Sequence, residues 1–341
     1  MTASLETLLI DRLTAGLPRS RSQLNRPHES DAELVRLPDG SVLAVTTDGV
    51  VEEIETGLYA DPYLAGWMAV AVNASDLAAV GASPLGIVVC ETLPRGAEES
   101  LLAAVQRGLA ESAAAHALPV LGGDTNEGAR MQLVGTALGL IEGGAPLTRV
   151  GARPGERVYA TGPLGLGSAF AFARMQRTGG EPPFRPLARL KAGQALRGVA
   201  SACMDTSDGA IATLDELGRL NGVGFRLTTD VRTLLHPAAL ALAREAQLPP
   251  WFLLAGPHGE FELLFTVAEG REEALRGASA SAGFTPLLLG EVIGGSGIEL
   301  TDGRGPLQLD GGKVRNLFEE SGGEIGRYVA ALTAMDRAEG R

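Results

Sequence analysis

Short apolar runs that end in an acidic residue recur along this chain, with helical patterns between them. One run ends at Asp48, a second at Asp124 and a third at Asp205. The first run is rich in β-branched residues, and Asp61-Pro62 then supplies the cap and first-turn proline of a helix. The alternation predicts a mixed fold, α/β (α+β), with carboxylates at the ends of strands.

Chain length and the Gly and Pro clusters predict two domains of similar size. The 341 residues exceed what one small core accommodates. A Gly- and Pro-rich stretch at 143–155 marks the boundary, and a second, around Thr178 to Pro186, predicts a mobile loop. We therefore expect an N-terminal arm or loop at 1–40, an N-terminal α/β domain at 41–148, a C-terminal α/β domain at 149–308, and a tail at 309–341 with an extra helix outside the core.

Charge and composition argue against several classes of protein. The 41 Asp and Glu residues outnumber 29 Lys and Arg, and the net charge of −12 would repel nucleic acid. Neither a membrane span nor a signal peptide is predicted, because no long apolar run is present. Cys90 and Cys203 lie in apolar runs, which predicts two buried, reduced thiols in a cytoplasmic protein.

One helix carries two polar residues in an otherwise apolar pattern. Asn73 and Asp76 stand three residues apart, so their side chains leave the helix from one face. An uncompensated buried carboxylate costs several kcal/mol, on the order of 3–5. Asp76 therefore predicts either a bound cation or a polar stripe that faces a loop.

Two further segments combine small residues with carboxylates. In Gly122-Gly123-Asp124-Thr125, the glycines would let the backbone approach a phosphate. The segment Asp205-Thr206-Ser207-Asp208-Gly209 ends a strand and opens a helix, where exposed N–H groups attract anions. Each segment alone is equally typical of an ordinary turn or helix cap.

Taken together, the aspartates supply hard oxygen ligands with no His or Cys cluster, which favours Mg²⁺ over Zn²⁺. Neither a Walker-type loop nor a kinase-type glycine loop is present, so phosphate binding would depend on these carboxylates and their metal ions. The candidate metal ligands are Asp31, Asp48, Asp76, Asp124, Asp205 and Asp208.

The order of five motifs resembles the thiamine-monophosphate kinase family. These are Thr-Asp, Asn-x-Ser-Asp-Leu-Ala-Ala-x-Gly-Ala, Gly-Gly-Asp-Thr, Leu-Thr-Arg-x-Gly-Ala-x-Pro-Gly and Asp-x-Ser-Asp-Gly, and the match spans about Asp31 to Val267. That family shares a PurM-like two-domain fold with aminoimidazole ribonucleotide synthetase, selenophosphate synthetase and a hydrogenase maturation protein. The resemblance implies ATP as a substrate, Mg²⁺, and a homodimer whose N-terminal domains pair into a β-barrel.

The same resemblance implies roles for individual residues. It implies metal-assisted, in-line phosphoryl transfer, in which no side chain need act as a catalytic base. The residues that match the family's nucleotide-binding positions are Thr46, Thr47, Gly123, Asp124, Arg149 and Ser207.

Four positions depart from the family pattern. Glu29-Ser30-Asp31 stands for Gly-Asp-Asp and lacks one carboxylate. Gly259 replaces a Glu that contacts the acceptor, an expected aromatic residue falls near Gly311, and Glu55 stands near the family's usual His. The last three changes predict a different acceptor. The candidate acceptor-binding residues are Glu55, His258 and Glu260.

The resulting expectation is an ATP-dependent phosphotransferase acting on a small phosphorylated or hydroxyl acceptor. One alternative is a ligase of the aminoimidazole ribonucleotide synthetase type, which Ser207-Asp208-Gly209 disfavours. Another is a nucleotide-binding maturation or regulatory protein that no longer turns over ATP. The selenophosphate and hydrogenase branches are disfavoured, because they need a reactive terminal cysteine that this chain lacks.

Overall fold

The computed structural model describes residues 5–176 and 180–338, which divide into two compact units. The N-unit comprises Ser22–Thr148 and Arg185–Gly198, and the C-unit comprises the described residues of Met1–Arg21, Arg149–Phe184 and Val199–Arg341. The predicted mobile loop lies partly outside the described residues, because 177–179 are not among them.

Thirteen helices and twelve strands form within the described residues. The helices are α1 (Leu5–Thr14), α2 (Val51–Glu55), α3 (Pro62–Ala79), α4 (Glu99–Ala115), α5 (Leu166–Gln176), α6 (Leu190–Leu196), α7 (Ala210–Asn221), α8 (Val231–Leu234), α9 (Pro237–Glu245), α10 (Phe252–Ala255), α11 (Glu272–Ala282), α12 (Gly311–Glu320) and α13 (Ile325–Ala338). The strands are β1 (Glu33–Arg36), β2 (Val42–Gly49), β3 (Ser83–Pro94), β4 (Val120–Gly128), β5 (Gln132–Ile141), β6 (Arg157–Ala160), β7 (Ala202–Asp205), β8 (Val223–Leu227), β9 (Leu263–Val267), β10 (Leu287–Gly294), β11 (Ile298–Thr301) and β12 (Pro306–Leu309).

The N-unit is a five-stranded sheet in the order β1-β2-β5-β3-β4, with α3 packed against it. All pairs are antiparallel except β3 with β4. Strand β1 belongs to this sheet although it lies in the stretch expected to be an arm. Asn25 fixes its entry, because the Leu34 N–H donates to the Asn25 Oδ1 atom at 3.0 Å.

Helix α3 is the central element of the N-unit, as its sequence pattern predicts. The Tyr63 N–H donates to the Asp61 side chain at 3.0 Å, which caps the helix start. Its apolar residues are buried on nearly all sides, and it packs closely on α4. Glycine permits this approach, because a Cβ atom at Gly66 would lie 2.2 Å from the Val105 oxygen.

The outer face of the same sheet is exposed in the described chain. Ile87 and Val89 point inward and are buried, whereas Val88 and Cys90 alternate with them and are exposed. The expectation that both cysteines are buried is therefore wrong for Cys90. An apolar run does not reveal its exposed face when every second residue is also apolar.

The C-unit contains a seven-stranded sheet in the order β12-β11-β8-β10-β6-β9-β7. Its pairs are antiparallel except β11 with β8. Trp251, Phe225 and Phe265 are among the largest fully buried side chains. Within the described residues of both units, the helices are too short or too polar to cross a membrane.

The last helix, α13, belongs to the core of the C-unit. The sequence predicts an extra helix there but places it outside the core, whereas Ile325, Tyr328 and Leu332 are buried. The Tyr328 hydroxyl donates to the Ala255 carbonyl oxygen. Burial of one apolar stripe, rather than the helix pattern itself, decides this placement.

Candidate functional site

Two carboxylates of the N-unit lie close together. Oxygen atoms of Asp31 and Asp76 are within 4.8 Å of each other. The Thr46 hydroxyl donates to Asp76 at 2.5 Å, from strand β2 to the last turn of α3. Two carboxylates at this separation repel each other unless a proton or a cation lies near both. Their hard oxygen atoms fit Mg²⁺.

Asn73 holds the end of β2 rather than facing a ligand. The Asp48 N–H donates to the Asn73 Oδ1 atom, and the Asn73 amide donates to the Asp48 carbonyl, both at 3.1 Å. The same amide donates to the Ala69 carbonyl at 3.0 Å, and the side chain is fully buried. Asn73 therefore fixes the main chain from which the exposed Asp48 carboxylate projects. The apolar helix pattern singled out Asn73 but did not predict this role.

The two threonines before Asp48 have different surroundings. Thr46 is buried beside Asp76. Thr47 lies on the opposite face, where its hydroxyl donates to the Gly135 carbonyl at 2.9 Å and lies 3.0 Å from the Thr136 hydroxyl. The alternation along β2 thus directs only Thr46 toward the carboxylate pair.

Asp124 lies on the exposed edge strand β4, where it accepts a hydrogen bond from the Asn126 amide at 2.7 Å. Gly123 precedes it, and a Cβ atom there would lie 1.8 Å from the Val89 oxygen. The neighbouring strand β3 therefore requires glycine at this position. This structural requirement accounts for Gly123 without a bound phosphate.

In the C-unit, the turn from β7 to α7 carries the second group of predicted ligands. Asp205 is buried and accepts hydrogen bonds from the Ser207 hydroxyl at 2.9 Å and the Ser207 N–H at 3.3 Å. Asp208 is exposed, and Gly209, with a φ of +86°, opens the helix. The Thr213 hydroxyl donates to the Asp205 carbonyl at 2.9 Å and ties the turn to α7.

Arg149 starts the C-unit segment that leads to β6. Its carbonyl accepts from the Asn221 amide at 2.8 Å, and Asn221 also accepts from the Gly151 N–H at 2.6 Å. Burial would raise the pKa of the Glu216 carboxyl, but the hydrogen bond from Arg219 and nearby cationic groups, Arg149 included, hold it below its usual value. These two hydrogen bonds of the Asn221 side chain fix the main chain at Arg149 and Gly151.

The three acceptor candidates differ in exposure. Glu55 is exposed at the end of α2, 3.4 Å from Arg130. His258 is buried among the rings of Phe170, Phe184 and Phe261, with ring centres 5.0 to 6.2 Å away. This burial lowers the pKa of His258 to about 4, so its ring is neutral at pH 7.

Glu260 is also buried and is used within the C-unit. Its Oε2 atom accepts from the Gly165 N–H at 2.6 Å, and burial raises its pKa to about 8 despite this hydrogen bond. Glu262 accepts from the Thr161 hydroxyl at 2.5 Å. The two side chains thus fix the turn between β6 and α5. The sequence did not point to Glu262 or Thr161 as site residues. The sequence indicates only that each is a polar residue next to an apolar strand.

Both units match one known family. The family described as AIR synthase related protein, N-terminal domain, matches residues 29–141, and its C-terminal domain matches residues 153–303. The thiamine-monophosphate kinase of Salmonella typhimurium is 32% identical over 300 residues, which cover 84% of this chain and 90% of the relative.

Solved structures agree with this assignment. The thiamine-monophosphate kinase of Stenotrophomonas maltophilia is 27% identical with a TM-score of 0.68, covering 88% of this chain and 97% of that one. AaThiL, solved in complex with AMPPCP and TMP, is 23% identical with a TM-score of 0.72, covering 90% and 99%, and so shares the fold. This chain, with its two mixed α/β units and their carboxylates, belongs to the thiamine-monophosphate kinase family of the AIR synthase related proteins and is a kinase.

Proposed function

We propose that this protein transfers the γ-phosphoryl group of ATP to thiamine monophosphate, giving thiamine diphosphate and ADP. Family membership supports this reaction, as does the AaThiL complex with AMPPCP and TMP. The structural observation that carries the proposal is the close pair of Asp31 and Asp76 beside the Thr46 hydroxyl. The three departures from the family pattern predict a different acceptor. We propose thiamine monophosphate instead.

Mg²⁺ is the metal that the donor set fits. Asp31, Asp48, Asp76 and Asp124 would serve as ligands in the N-unit, and Asp205 and Asp208 in the C-unit. When bound, Mg²⁺ neutralises charge on the phosphate oxygens. The carboxylates then act as ligands rather than bases. Thr46, Gly123 and Ser207 would contact the nucleotide, and Arg149 would pair with a phosphate through its planar guanidinium group. Thr47 faces away from the carboxylate pair, so it would support β2 rather than contact the nucleotide.

The acceptor candidates divide into two kinds in this proposal. Glu55 is exposed and can contact a substrate directly. His258 and Glu260 are buried, and they would fix the conformation of the chain segment around them. A buried, neutral His258 packed between aromatic rings contributes an apolar wall rather than a charge.

A homodimer is the second part of the proposal. Strand β4 is at the edge of its sheet, and Leu85 and Val88 of β3 and Val120 and Leu121 of β4 are exposed. An edge strand with exposed apolar side chains is a surface that natural proteins cover. Pairing of two such sheets across a dimer, as a β-barrel, would cover this face.

The direct test measures thiamine diphosphate and ADP formed from ATP, Mg²⁺ and thiamine monophosphate. We expect turnover by the wild type and a loss of at least about 100-fold in kcat/KM for Asp76→Asn, equivalent to about 2.7 kcal/mol. Asp39→Asn, in an exposed turn of the same unit, is the matched control and should retain activity. A wild type that ignores thiamine monophosphate, or two variants of equal activity, would refute the proposal.

A further inference from the structure

The segment 256–262 is bonded directly to the β7–α7 turn, residues 206–209. The Thr206 N–H donates to the Glu262 carbonyl at 2.9 Å, and the Glu262 N–H donates to the Thr206 hydroxyl oxygen at 3.0 Å. The Gly259 N–H donates to the Ser207 carbonyl at 2.7 Å. We call these three hydrogen bonds the clasp. They join the segment that carries the acceptor candidates His258 and Glu260 to the turn that carries Asp208.

Close backbone contacts at the clasp leave no room for side chains. A Cβ atom at Gly259 would lie 1.3 Å from the Thr206 carbonyl oxygen. In the β7–α7 turn, a Cβ atom at Gly209 would lie 2.5 Å from the Gly256 oxygen. A glutamate at position 259 is therefore incompatible with this backbone. Glycine here is a packing requirement rather than the simple loss of an acceptor contact.

The segment is also fixed on its far side. Glu260 accepts from the Gly165 N–H at 2.6 Å, and Glu262 accepts from the Thr161 hydroxyl at 2.5 Å. Phe261, between them, has a φ of +62°, which a bulky residue adopts only when its surroundings hold it there. A segment held from two sides can act as a rigid support for the turn that it touches.

We propose that Thr206 and Gly259 are positioning residues that hold Asp205 and Asp208 in the geometry needed for the Mg²⁺-nucleotide complex. The inference rests on the proposed function, because it takes these aspartates as metal ligands. Thr206 is fully buried, and its hydroxyl oxygen is the acceptor for the Glu262 N–H. Neither residue touches substrate in this proposal. Each acts through the carboxylates of the turn.

The test uses a nearly isosteric pair of variants at Thr206. Thr206→Val removes the acceptor for the Glu262 N–H at almost constant volume, whereas Thr206→Ser retains it. Calorimetry would measure the affinity for AMPPCP at several Mg²⁺ concentrations. We expect Thr206→Val to weaken Mg²⁺-dependent affinity by about 5- to 10-fold, because the buried hydrogen bonds of the Thr206 hydroxyl are lost. Thr206→Ser should restore affinity to within about twofold.

A control separates positioning from general stability. Thr229→Val removes another hydroxyl hydrogen bond of the C-unit, to the Leu288 carbonyl at 2.8 Å, and should leave AMPPCP affinity unchanged. The proposal is overturned if Thr206→Val lowers the unfolding temperature but binds AMPPCP as the control does. It is also overturned if Gly259→Ala folds and raises only the KM for thiamine monophosphate.

The positioning role of the clasp and the proposed phosphorylation reaction can fail separately. A wild type that binds AMPPCP with Mg²⁺ but phosphorylates no thiamine monophosphate would refute the proposed acceptor. The affinity comparison at Thr206 would still decide the positioning role. Absence of Mg²⁺-dependent AMPPCP binding by the wild type would overturn both.

Discussion

At the scale of single residues, the Asn73 side chain pairs with both backbone groups of Asp48. A side-chain amide holds a carbonyl acceptor and an NH2 donor group in one plane, so it satisfies a backbone N–H and a backbone carbonyl together. The site is tightly packed, because a Cβ atom at Gly135 would lie 2.5 Å from the Asn73 amide nitrogen. The position of Asp48 therefore depends on a side chain that reaches no ligand.

Replacing Asn73 should affect both stability and metal use. Asn73→Ala removes three hydrogen bonds, and we expect the free energy of unfolding to fall by about 1–3 kcal/mol. The Mg²⁺ concentration for half-maximal activity should rise, because Asp48 is less well placed. Urea unfolding and Mg²⁺ titration of activity measure the two effects.

A second variant tests the reason for this effect. Asn73→Asp keeps the acceptor for the Asp48 N–H but sets a carboxylate against the carbonyls of Asp48 and Ala69. Asn73→Asp should therefore be no more stable than Asn73→Ala, and its activity should need at least as much Mg²⁺. Wild-type stability and Mg²⁺ dependence in Asn73→Asp would contradict the account of Asn73 as a two-sided backbone clamp.

At the scale of elements, α13 is tied to the middle of the C-unit through Asp336. This buried carboxylate accepts from the Trp251 indole N–H at 2.8 Å and from Arg304 at 2.7 and 2.9 Å. Arg304 also pairs with the buried Asp302. One helix end thus holds both the segment before α10 and the turn between β11 and β12.

Removing Asp336 should loosen the whole C-unit. Asp336→Ala leaves the Trp251 N–H and part of the Arg304 charge without their partner. Because the Arg304 side chain is 36% exposed, water offsets part of the loss, and we expect destabilisation of about 2 kcal/mol. Urea unfolding followed by circular dichroism measures it.

An exposed ion pair at the start of the same helix provides the control. Glu324 and Arg327 lie 2.8 Å apart with side chains 63% and 75% exposed, so Glu324→Ala should change stability very little. Equal effects of Asp336→Ala and Glu324→Ala would show that α13 is not anchored through Asp336.

At the scale of the whole molecule, the proposed dimer makes a prediction about the exposed sheet face. Leu121 is 56% exposed on edge strand β4, and Leu121→Arg would place a charge in the proposed barrel. We expect this variant to be monomeric by light scattering, whereas the wild type is dimeric. Leu288→Arg, on an exposed position of β10, should remain dimeric. A monomeric wild type, or a dimeric Leu121→Arg, would refute the dimer through this face.

Local sequence determined the features that depend on near neighbours. The cap at Asp61 and the apolar pattern that follows it predict α3, because capping and side-chain periodicity act within a few turns. The motif order also identified the kinase family, and the oxygen-only donor set favoured Mg²⁺. These properties are encoded in short stretches of residue types and do not require long-range contacts.

Tertiary structure decided whatever depends on residues distant in sequence. The rule that ligands bind at strand ends comes from parallel sheets, whereas β2 and β7 pair antiparallel with β5 and β9. Burial of His258 and Glu260, and the exposure of Cys90, depend on which face a neighbour covers. Gly259 looked like a missing acceptor contact, yet only the fold brings it against Thr206, 53 residues earlier in the chain. A one-dimensional pattern gives residue type and spacing, but burial and close approach are properties of chain segments that meet only after folding.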